Sequence, residues 1–213
     1  MRPSTAQSHL RFPLTHLLAG GGHVRVLRAL SAYGAPLSVP QLAADTGLTP
    51  RGVRFVLGSL ESQGIVQTFG KVRSQVFAIV NQHPLAPALR ALFEQERVRW
   101  EDFQAELRAG LASLKEVRSA WLYGSVSRGE DAPHSDVDIA LVVDAESPGV
   151  MQGVRDAIHA LGDRLKAPIT PVVLTASDVA KLDKGDRWWS DVTRDAVVLK
   201  GVSPAMEAMR CAR

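Results

Sequence analysis

The chain has 213 residues, of which 46% are apolar and 22% charged, as in ordinary globular proteins. No apolar run reaches the roughly 18–20 residues that a membrane-spanning helix requires, and no apolar stretch of signal-peptide length follows Arg2 and Arg11. Cys211 is the single cysteine, so it cannot form an internal disulfide, and no neighbouring Cys or His completes a zinc site. We therefore expect a cytoplasmic globular protein of one or two domains, with no membrane partner.

The net charge of +3 is unevenly distributed along the chain. Residues 1–80 contain eight Arg and Lys residues but only two Asp and Glu residues, a charge of +6, so the remainder carries −3. A basic half joined to a slightly acidic half indicates two partners of different charge, and chance is the alternative.

The basic half contains the signals of three helices followed by a β-hairpin. Apolar residues recur there at helical spacing, and Gly, Pro, Ser and Thr stand where helices begin or end. The predicted helices are 22–33, 38–46 and 50–62, and the predicted strands are 65–69 and 75–80.

The stretch LSVPQLAADTGLTPRGVRFVLGSLESQGIV within this half resembles the core of MarR/ArsR-type winged helix-turn-helix domains. The resemblance implies a DNA-binding domain over residues 1–82, with 38–46 as the positioning helix and 50–62 as the recognition helix. Arg51 and Arg54 would then reach base edges and phosphates, and Lys71 and Arg73 would contact phosphate or the minor groove from the wing. The alternative is a protein-interaction or dimerisation module, and a homodimer is expected by analogy with winged-helix regulators.

The segment 83–115 is predicted to be helical, as one or two long helices. Apolar residues recur along it after two prolines, and Gly110 is the only breaker inside the pattern. A linker, a dimer seam and part of the packing of a second domain all remain open as its role. We assign it as a helical linker between two domains.

The pattern changes to α/β in the last part of the chain. Apolar runs predict strands over 117–124, 136–144, 169–175 and 196–201. Helices are predicted over 150–165 and 176–182, the second capped by Ser177. The overall fold class is therefore α+β, with an α/β domain over residues 116–205 built on a small mixed sheet. Trp188 and Trp189 are interpreted as one core residue and one half-buried residue, with base stacking as the alternative.

Two parts of the α/β segment point to phosphate chemistry. Gly124 and Ser125 follow a strand at the predicted start of a helix, where free backbone N–H groups suit a phosphate, and Arg128 adds a positive charge. Asp136 and Asp138 are two apart at the start of the next strand, so their carboxylates project to one face and repel each other. A divalent cation relieves that repulsion, and Mg²⁺ favours one or two carboxylates together with phosphate oxygens.

The joint pattern G-S-x10-D-x-D, and the spelling RGEDAPHSDVD over 128–138, resemble the DNA polymerase β-like nucleotidyltransferase superfamily, most closely its minimal, MNT-type members. The resemblance covers about residues 117–201. It implies that Gly124 and Ser125 hold a nucleoside triphosphate (NTP), and that Asp136 and Asp138 bind Mg²⁺ or Mn²⁺ at the catalytic centre. It also implies transfer of a nucleoside monophosphate to an acceptor hydroxyl, with loss of pyrophosphate.

One feature departs from the pattern of that superfamily, which usually has a third Asp on the next core strand as general base and metal ligand. That strand is predicted over 169–175, where the expected position is near Thr170 and no carboxylate occurs. Asp178 lies just beyond the strand and would substitute only if the chain folded back.

Three functions follow from these observations. The first is a DNA-binding nucleotidyltransferase whose acceptor is by analogy a protein hydroxyl on a separate chain, as in antitoxins that adenylylate a partner toxin. The second is a transcriptional regulator with a degenerate, nucleotide-binding nucleotidyltransferase fold, which the missing carboxylate favours. The third and weakest is modification of a small molecule, because antibiotic nucleotidyltransferases do not normally carry a winged helix.

Overall fold

The computed structural model of the chain describes residues 14–72, 74–144, 147–182 and 185–211. The chain divides into two compact units, residues 1–99 and residues 100–213. Arg73, which was assigned to the wing, lies outside the described residues. No described helix is both long and apolar enough to cross a lipid bilayer.

The first unit contains the predicted helices and hairpin. Its elements are α1 (Leu14–Leu17), α2 (Gly21–Tyr33), β1 (Leu37–Ser38), α3 (Val39–Thr46), α4 (Pro50–Ser62), β2 (Val66–Phe69) and β3 (Val76–Ile79). β1 was not predicted, because it has only two residues, and it pairs antiparallel with β3. The three strands form an antiparallel sheet in the order β1-β3-β2.

Local capping sets the limits of α3 and α4. Gln41 accepts a hydrogen bond from the Ser38 backbone N–H at 2.9 Å, and Gly47 ends α3 in the left-handed conformation. The Thr49 hydroxyl accepts from the Gly52 N–H at 3.1 Å, and Pro50 occupies the first turn of α4. The apolar faces of the helices then close on the small sheet, in a core that includes Leu27, Leu30, Leu42, Val53, Leu57, Leu60, Ile65 and Phe77.

The predicted helical segment after the hairpin is a single helix, α5 (Ala86–Ser113), which begins in the first unit and ends in the second. Leu89 and Phe93 belong to the core of the first unit. Leu107 and Leu111 are fully buried in the core of the second unit. The last part of this helix therefore packs in the core of the second unit, which is one of the three roles that the sequence left open.

The second unit is a mixed α+β arrangement. Its elements after α5 are β4 (Val117–Tyr123), α6 (Gly124–Arg128), β5 (Val137–Val143), α7 (Pro148–Leu165), β6 (Ile169–Thr175), α8 (Ala176–Lys181), α9 (Arg187–Asp195), β7 (Val197–Lys200) and α10 (Pro204–Cys211). The strand order is β6-β5-β4-β7. β5 and β6 are parallel, whereas β4 is antiparallel to both β5 and β7, which confirms the small mixed sheet.

The sheet of the second unit is covered on both faces. Ile139 and Leu141 of β5 pack with α5 and α7 on one face. Ala140 and Val142 pack with residues of α8, α9 and α10 on the other. Because alternate residues of a strand share a face, Asp138 lies on the side of Ala140 and Val142.

Three features of the second unit differ from the prediction. The cap of α8 is Thr175, whose hydroxyl accepts from the Asp178 N–H, so the predicted cap Ser177 is wrong. α9 and α10, of nine and eight residues, were not predicted. The fully buried Glu207 of α10 is paired with Arg118 at 2.5 Å and accepts from the Ser119 hydroxyl at 2.7 Å. A charge buried through long-range partners of this kind has no local sequence signal.

Candidate functional site

The turn between β4 and α6 requires glycine. Gly124 has φ +77°, and a Cβ atom built there would lie 2.5 Å from Oδ2 of Asp138. An L-residue is strained at that φ and would collide with the carboxylate. Gly124 therefore allows Asp138 to approach the backbone of the turn, and Ser125 follows it in the first turn of α6, where N–H groups have no helical acceptor.

The two predicted carboxylates lie at the start of β5. Asp138 is opposite Tyr123 in the β4–β5 register and is half-buried, whereas Asp136 is exposed immediately before the strand. Burial raises the pKa of Asp138, the neighbouring charge of Asp136 raises it further, and Arg128 opposes the shift. The structure thus brings Gly124, Ser125 and both carboxylates to the same end of the two central strands, where β4 finishes and β5 begins.

Thr170 occupies the position opposite Asp138 on the parallel strand β6. Its hydroxyl donates to Oδ2 of Asp136 at 3.1 Å. The described part of the chain contains no group of three or more His, Cys, Asp or Glu side chains arranged to hold a metal ion. Among the described residues, this position therefore holds two carboxylates and a threonine hydroxyl, with Thr170 at the place predicted to lack the third carboxylate of the superfamily pattern.

Asp178 does not complete the site. Its carboxylate accepts from the backbone N–H of Thr175 at 2.9 Å and from the hydroxyl of Thr175 at 2.8 Å, which caps α8. These bonds lower the pKa of Asp178, the backbone bond most. β5 and β6 are parallel, so Thr170 at the start of β6 lies beside Asp138 at the start of β5. Asp178 comes after the last residue of β6 and therefore lies at the other end of the sheet.

Arg128 is held by two acidic side chains. Its guanidinium donates to Glu130 at 2.7 Å and to Asp195 at 2.6 Å. The hydroxyl of Ser127 also donates to the backbone carbonyl of Asp195. Asp195, at the end of α9, was missed by sequence reasoning, since it lies 67 residues from Arg128 and belongs to no motif.

The tryptophan pair lies on the same face of the sheet as Asp138. Trp189 is buried and Trp188 is half-buried, which confirms the interpretation of one core residue and one half-buried residue. The Trp188 indole N–H donates to the Tyr123 hydroxyl at 3.1 Å, and the two rings meet edge to face. Tyr123 precedes Gly124, so this contact ties α9 to the end of β4.

The predicted DNA-contacting residues lie on exposed parts of the first unit. Arg51 and Arg54 are exposed on α4, and Lys71 is exposed in the turn between β2 and β3. None of the three forms an ion pair with another described residue. Their charges are therefore available to an external anion.

One family model matches part of the second unit. Residues 106–178 match the family model described as polymerase beta, nucleotidyltransferase. No curated protein matches the chain at a significant level.

Among solved structures, the chain is similar to a toxin-antitoxin with AMP-PNP, at 17% identity over 51% of this chain and 83% of that chain, with a TM-score of 0.39. It is also similar to a mutant form of the toxin-antitoxin MntA-HpeT, at 16% identity over 51% and 83% of the two chains, with a TM-score of 0.39. The AntR antimony-specific transcriptional repressor matches at 25% identity over 46% and 84%, with a TM-score of 0.37. The match of residues 106–178 to the family model supports a domain of the nucleotidyltransferase superfamily in the C-terminal part of the chain.

Proposed function

We propose that the protein is a DNA-binding nucleotidyltransferase. Its second unit binds an NTP together with Mg²⁺ or Mn²⁺ and transfers a nucleoside monophosphate to an acceptor hydroxyl. Gly124, Ser125 and Arg128 bind the nucleotide, and Asp136 and Asp138 hold the metal and take part in catalysis. The family match at residues 106–178 supports this assignment.

The observation that carries the proposal is the closeness of the carboxylate of Asp138 to the Gly124 turn. A Cβ atom at Gly124 would be 2.5 Å from Oδ2 of Asp138, so the carboxylate lies directly against the turn. A phosphate bound by the N–H groups of that turn would share a cation with the carboxylate. A glycine-lined phosphate site and a metal ligand therefore occupy the same small volume.

The donor set fits a hard divalent cation. Asp136 and Asp138 supply two carboxylates, and Mg²⁺ prefers one or two such ligands with the remaining positions taken by phosphate oxygens and water. The raised pKa of Asp138 reflects burial and the charge of Asp136, a cost that a cation would relieve. When bound, the metal supplies charge neutralisation for the triphosphate and alignment of the reacting oxygens.

The reaction forms a bond between the acceptor oxygen and the α-phosphorus and breaks the bond to pyrophosphate. The proton of the acceptor hydroxyl leaves to solvent, because β6 offers Thr170 in place of a carboxylate base. The acceptor is a hydroxyl on a separate protein chain, and the turn, Arg128 and the carboxylates orient the triphosphate toward it.

The first unit is proposed to be a winged helix-turn-helix that binds DNA, with α3 as positioning helix and α4 as recognition helix. Three helices followed by a hairpin, with β1 completing a three-stranded sheet, support this assignment. Exposed Arg51, Arg54 and Lys71 supply charge for phosphates, and Arg73 adds to it from the same turn in the sequence. A homodimer would present two such helices to a two-fold symmetric site.

A labelling experiment tests the transfer reaction. The full chain is incubated with each of the four α-³²P-labelled NTPs, Mg²⁺ and a cell extract as a source of acceptors, and pyrophosphate release is measured in parallel. We expect label on a protein band with one NTP, and loss of labelling in the Asp136→Asn, Asp138→Asn double variant. Asp163→Asn, on the exposed side of α7, is the matched control and should label normally.

If labelling persists in the double variant, Asp136 and Asp138 are not the catalytic site. A second function, a regulator that binds nucleotide without turnover, is favoured by Thr170 at the register position opposite Asp138. That function predicts Mg²⁺-dependent NTP binding in calorimetry, with no pyrophosphate released and no protein labelled. The two functions therefore differ in whether the unmodified protein releases pyrophosphate from the NTP.

A further inference from the structure

The solvent-facing stripe of α4 carries an exposed aromatic ring, Phe55, which follows two arginines. Phe55 is 76% exposed although the neighbouring Val56 and Leu57 are buried. Arg51 precedes Phe55 by one helical turn and Arg54 is adjacent to it. The core of the first unit is closed by the opposite face of α4, so the ring contributes little to folding.

The charge of this stripe fits a polyanion. Arg51 and Arg54 are exposed and form no ion pair with any residue that the structure describes. Glu61 is the single acidic residue of α4, and its carboxylate accepts a hydrogen bond from the hydroxyl of Thr68 near the far end of the helix. The N-terminal half of the stripe is therefore positive and lacks internal compensation.

Gly58 follows Phe55 on the same stripe and opens the surface further. A Cβ atom at Gly58 would meet nothing within 4 Å, so the glycine is not required by the fold. Without a side chain there, an external surface can approach the helix backbone closely beside the ring. From Arg51 to Gly58 the stripe extends about 10 Å, at 1.5 Å per residue, which corresponds to roughly three base-pair steps of 3.4 Å.

We propose that Phe55 contacts the 5-methyl group of a thymine in the major groove and thereby selects a T·A pair at one position of the DNA site. Thymine alone among the four bases presents an apolar group in the major groove, and an aromatic side chain is a suitable partner for it. Arg51 and Arg54 bind the flanking phosphates or guanine edges, and Gly58 lets the groove floor approach. The inference rests on the proposed DNA binding and names the base that the helix reads.

The test compares thymine with uracil, which lacks only the methyl group. Duplexes bound by the full chain are selected from a random library, and each thymine of the selected site is then replaced by uracil. We expect one replacement to weaken binding of the unmodified chain about fourfold, the equivalent of the roughly 0.8 kcal/mol of one buried methylene group. The Phe55→Ala variant should bind more weakly and should not distinguish thymine from uracil at that position.

Two further variants separate base reading from general effects. Phe55→Leu keeps an apolar contact and should retain part of the thymine preference. Leu92→Ala removes another large exposed apolar side chain, on α5, and should preserve both affinity and preference. Dimerisation through Phe55 would instead appear as a lower sedimentation mass of Phe55→Ala, and that result would overturn the inference.

The outcomes distinguish this inference from the function on which it rests. If the chain binds duplex DNA with salt-dependent affinity but tolerates uracil at every position, base reading by Phe55 is wrong and DNA binding stands. The inference also fails if Phe55→Ala keeps the preference for thymine. If no duplex is bound at any salt concentration, the proposed DNA binding and the reading by Phe55 both fail.

Discussion

Gly124 is the residue on which the geometry of the candidate site depends most directly. Its left-handed φ and its contact with the Asp138 carboxylate are independent reasons for glycine, one conformational and one steric. A side chain at Gly124 would both strain the backbone and displace the carboxylate of Asp138, a proposed metal ligand. The position therefore links local stability to nucleotide binding.

Gly124→Ala should lower the free energy of unfolding by about 2 kcal/mol or more, because the left-handed conformation alone costs an L-residue roughly 1–2 kcal/mol. It should also abolish labelling by NTP. The measurement is urea unfolding with a parallel labelling assay.

Gly153→Ala is the matched control for that variant. Gly153 lies inside α7, where a Cβ atom would meet nothing within 4 Å. We expect this substitution to raise stability by about 0.5–1 kcal/mol, because alanine is the better helix former, and to leave labelling unchanged. Equal effects of the two substitutions would contradict the role given to Gly124.

At the scale of elements, α9 secures α6. Asp195 at the end of α9 pairs with Arg128 at 2.6 Å, and Trp188 at its start donates to Tyr123, the residue before the Gly124 turn. Both ends of α9 therefore hold the segment that carries the proposed phosphate site. A hydrogen bond from Arg194, reinforced by the bond from Arg128, lowers the pKa of Asp195 to about 2.

The depressed pKa of Asp195 makes a pH-dependent prediction. Its pKa falls from an ordinary value of 3.8 to about 2 on folding, so its stabilising effect is complete above the ordinary value and is lost as the pH falls toward about 2. Asp195→Asn should therefore unfold at lower urea concentration than the unmodified chain at pH 7, and the difference should shrink as the pH approaches about 2.

The same variant, Asp195→Asn, should also weaken NTP binding. It removes the ion pair that holds the Arg128 guanidinium, and with it α6, against α9. Asp191→Asn, which breaks only the surface pair of Asp191 with Arg194, is the control and should bind NTP normally. A stability difference between Asp195→Asn and the unmodified chain that stays constant with pH would argue against the ion pairs of Asp195 as its cause.

At the scale of the whole molecule, the charge is divided along the chain. Residues 1–80 carry +6 and the remainder −3. A polyanion should therefore bind through the first unit, and the affinity should depend on salt because phosphate contacts release counterions. The NTP site, with two carboxylates, should instead depend on the divalent cation.

The double substitution Arg51→Gln, Arg54→Gln should weaken DNA binding in the same proportion for specific and unrelated duplexes if both side chains contact phosphate. Two lost contacts should reduce the slope of log affinity against log salt by about 1.8, at about 0.9 per phosphate. Fluorescence anisotropy with a labelled duplex over a range of salt concentrations measures that slope. Arg155→Gln, Arg164→Gln removes the same charge from α7 and should leave the slope unchanged; an equal reduction there would mean that binding follows net charge alone.

Strong local signals account for the parts of this protein that could be read from its sequence. Ser38, Thr49 and Pro50 are capping residues whose effect acts within one helical turn, so α3 and α4 begin where expected. Ile169–Thr175 matches the predicted strand, because a short run rich in apolar and β-branched residues is typical of a buried strand. The pair Asp136 and Asp138 also followed from local pattern, since the period of a strand determines their common face.

Long-range contacts decided what the sequence could not. The approach of Asp138 to Gly124, the bond of Thr170 to Asp136 and the pairing of Arg128 with Asp195 join residues between 14 and 67 positions apart in the chain. Capping, periodicity and turn preference act over a few residues, so they determined the elements and the residue types of the site. Which side chain faces which depends on strand register and helix packing, and those are set only when the whole unit buries its apolar surface.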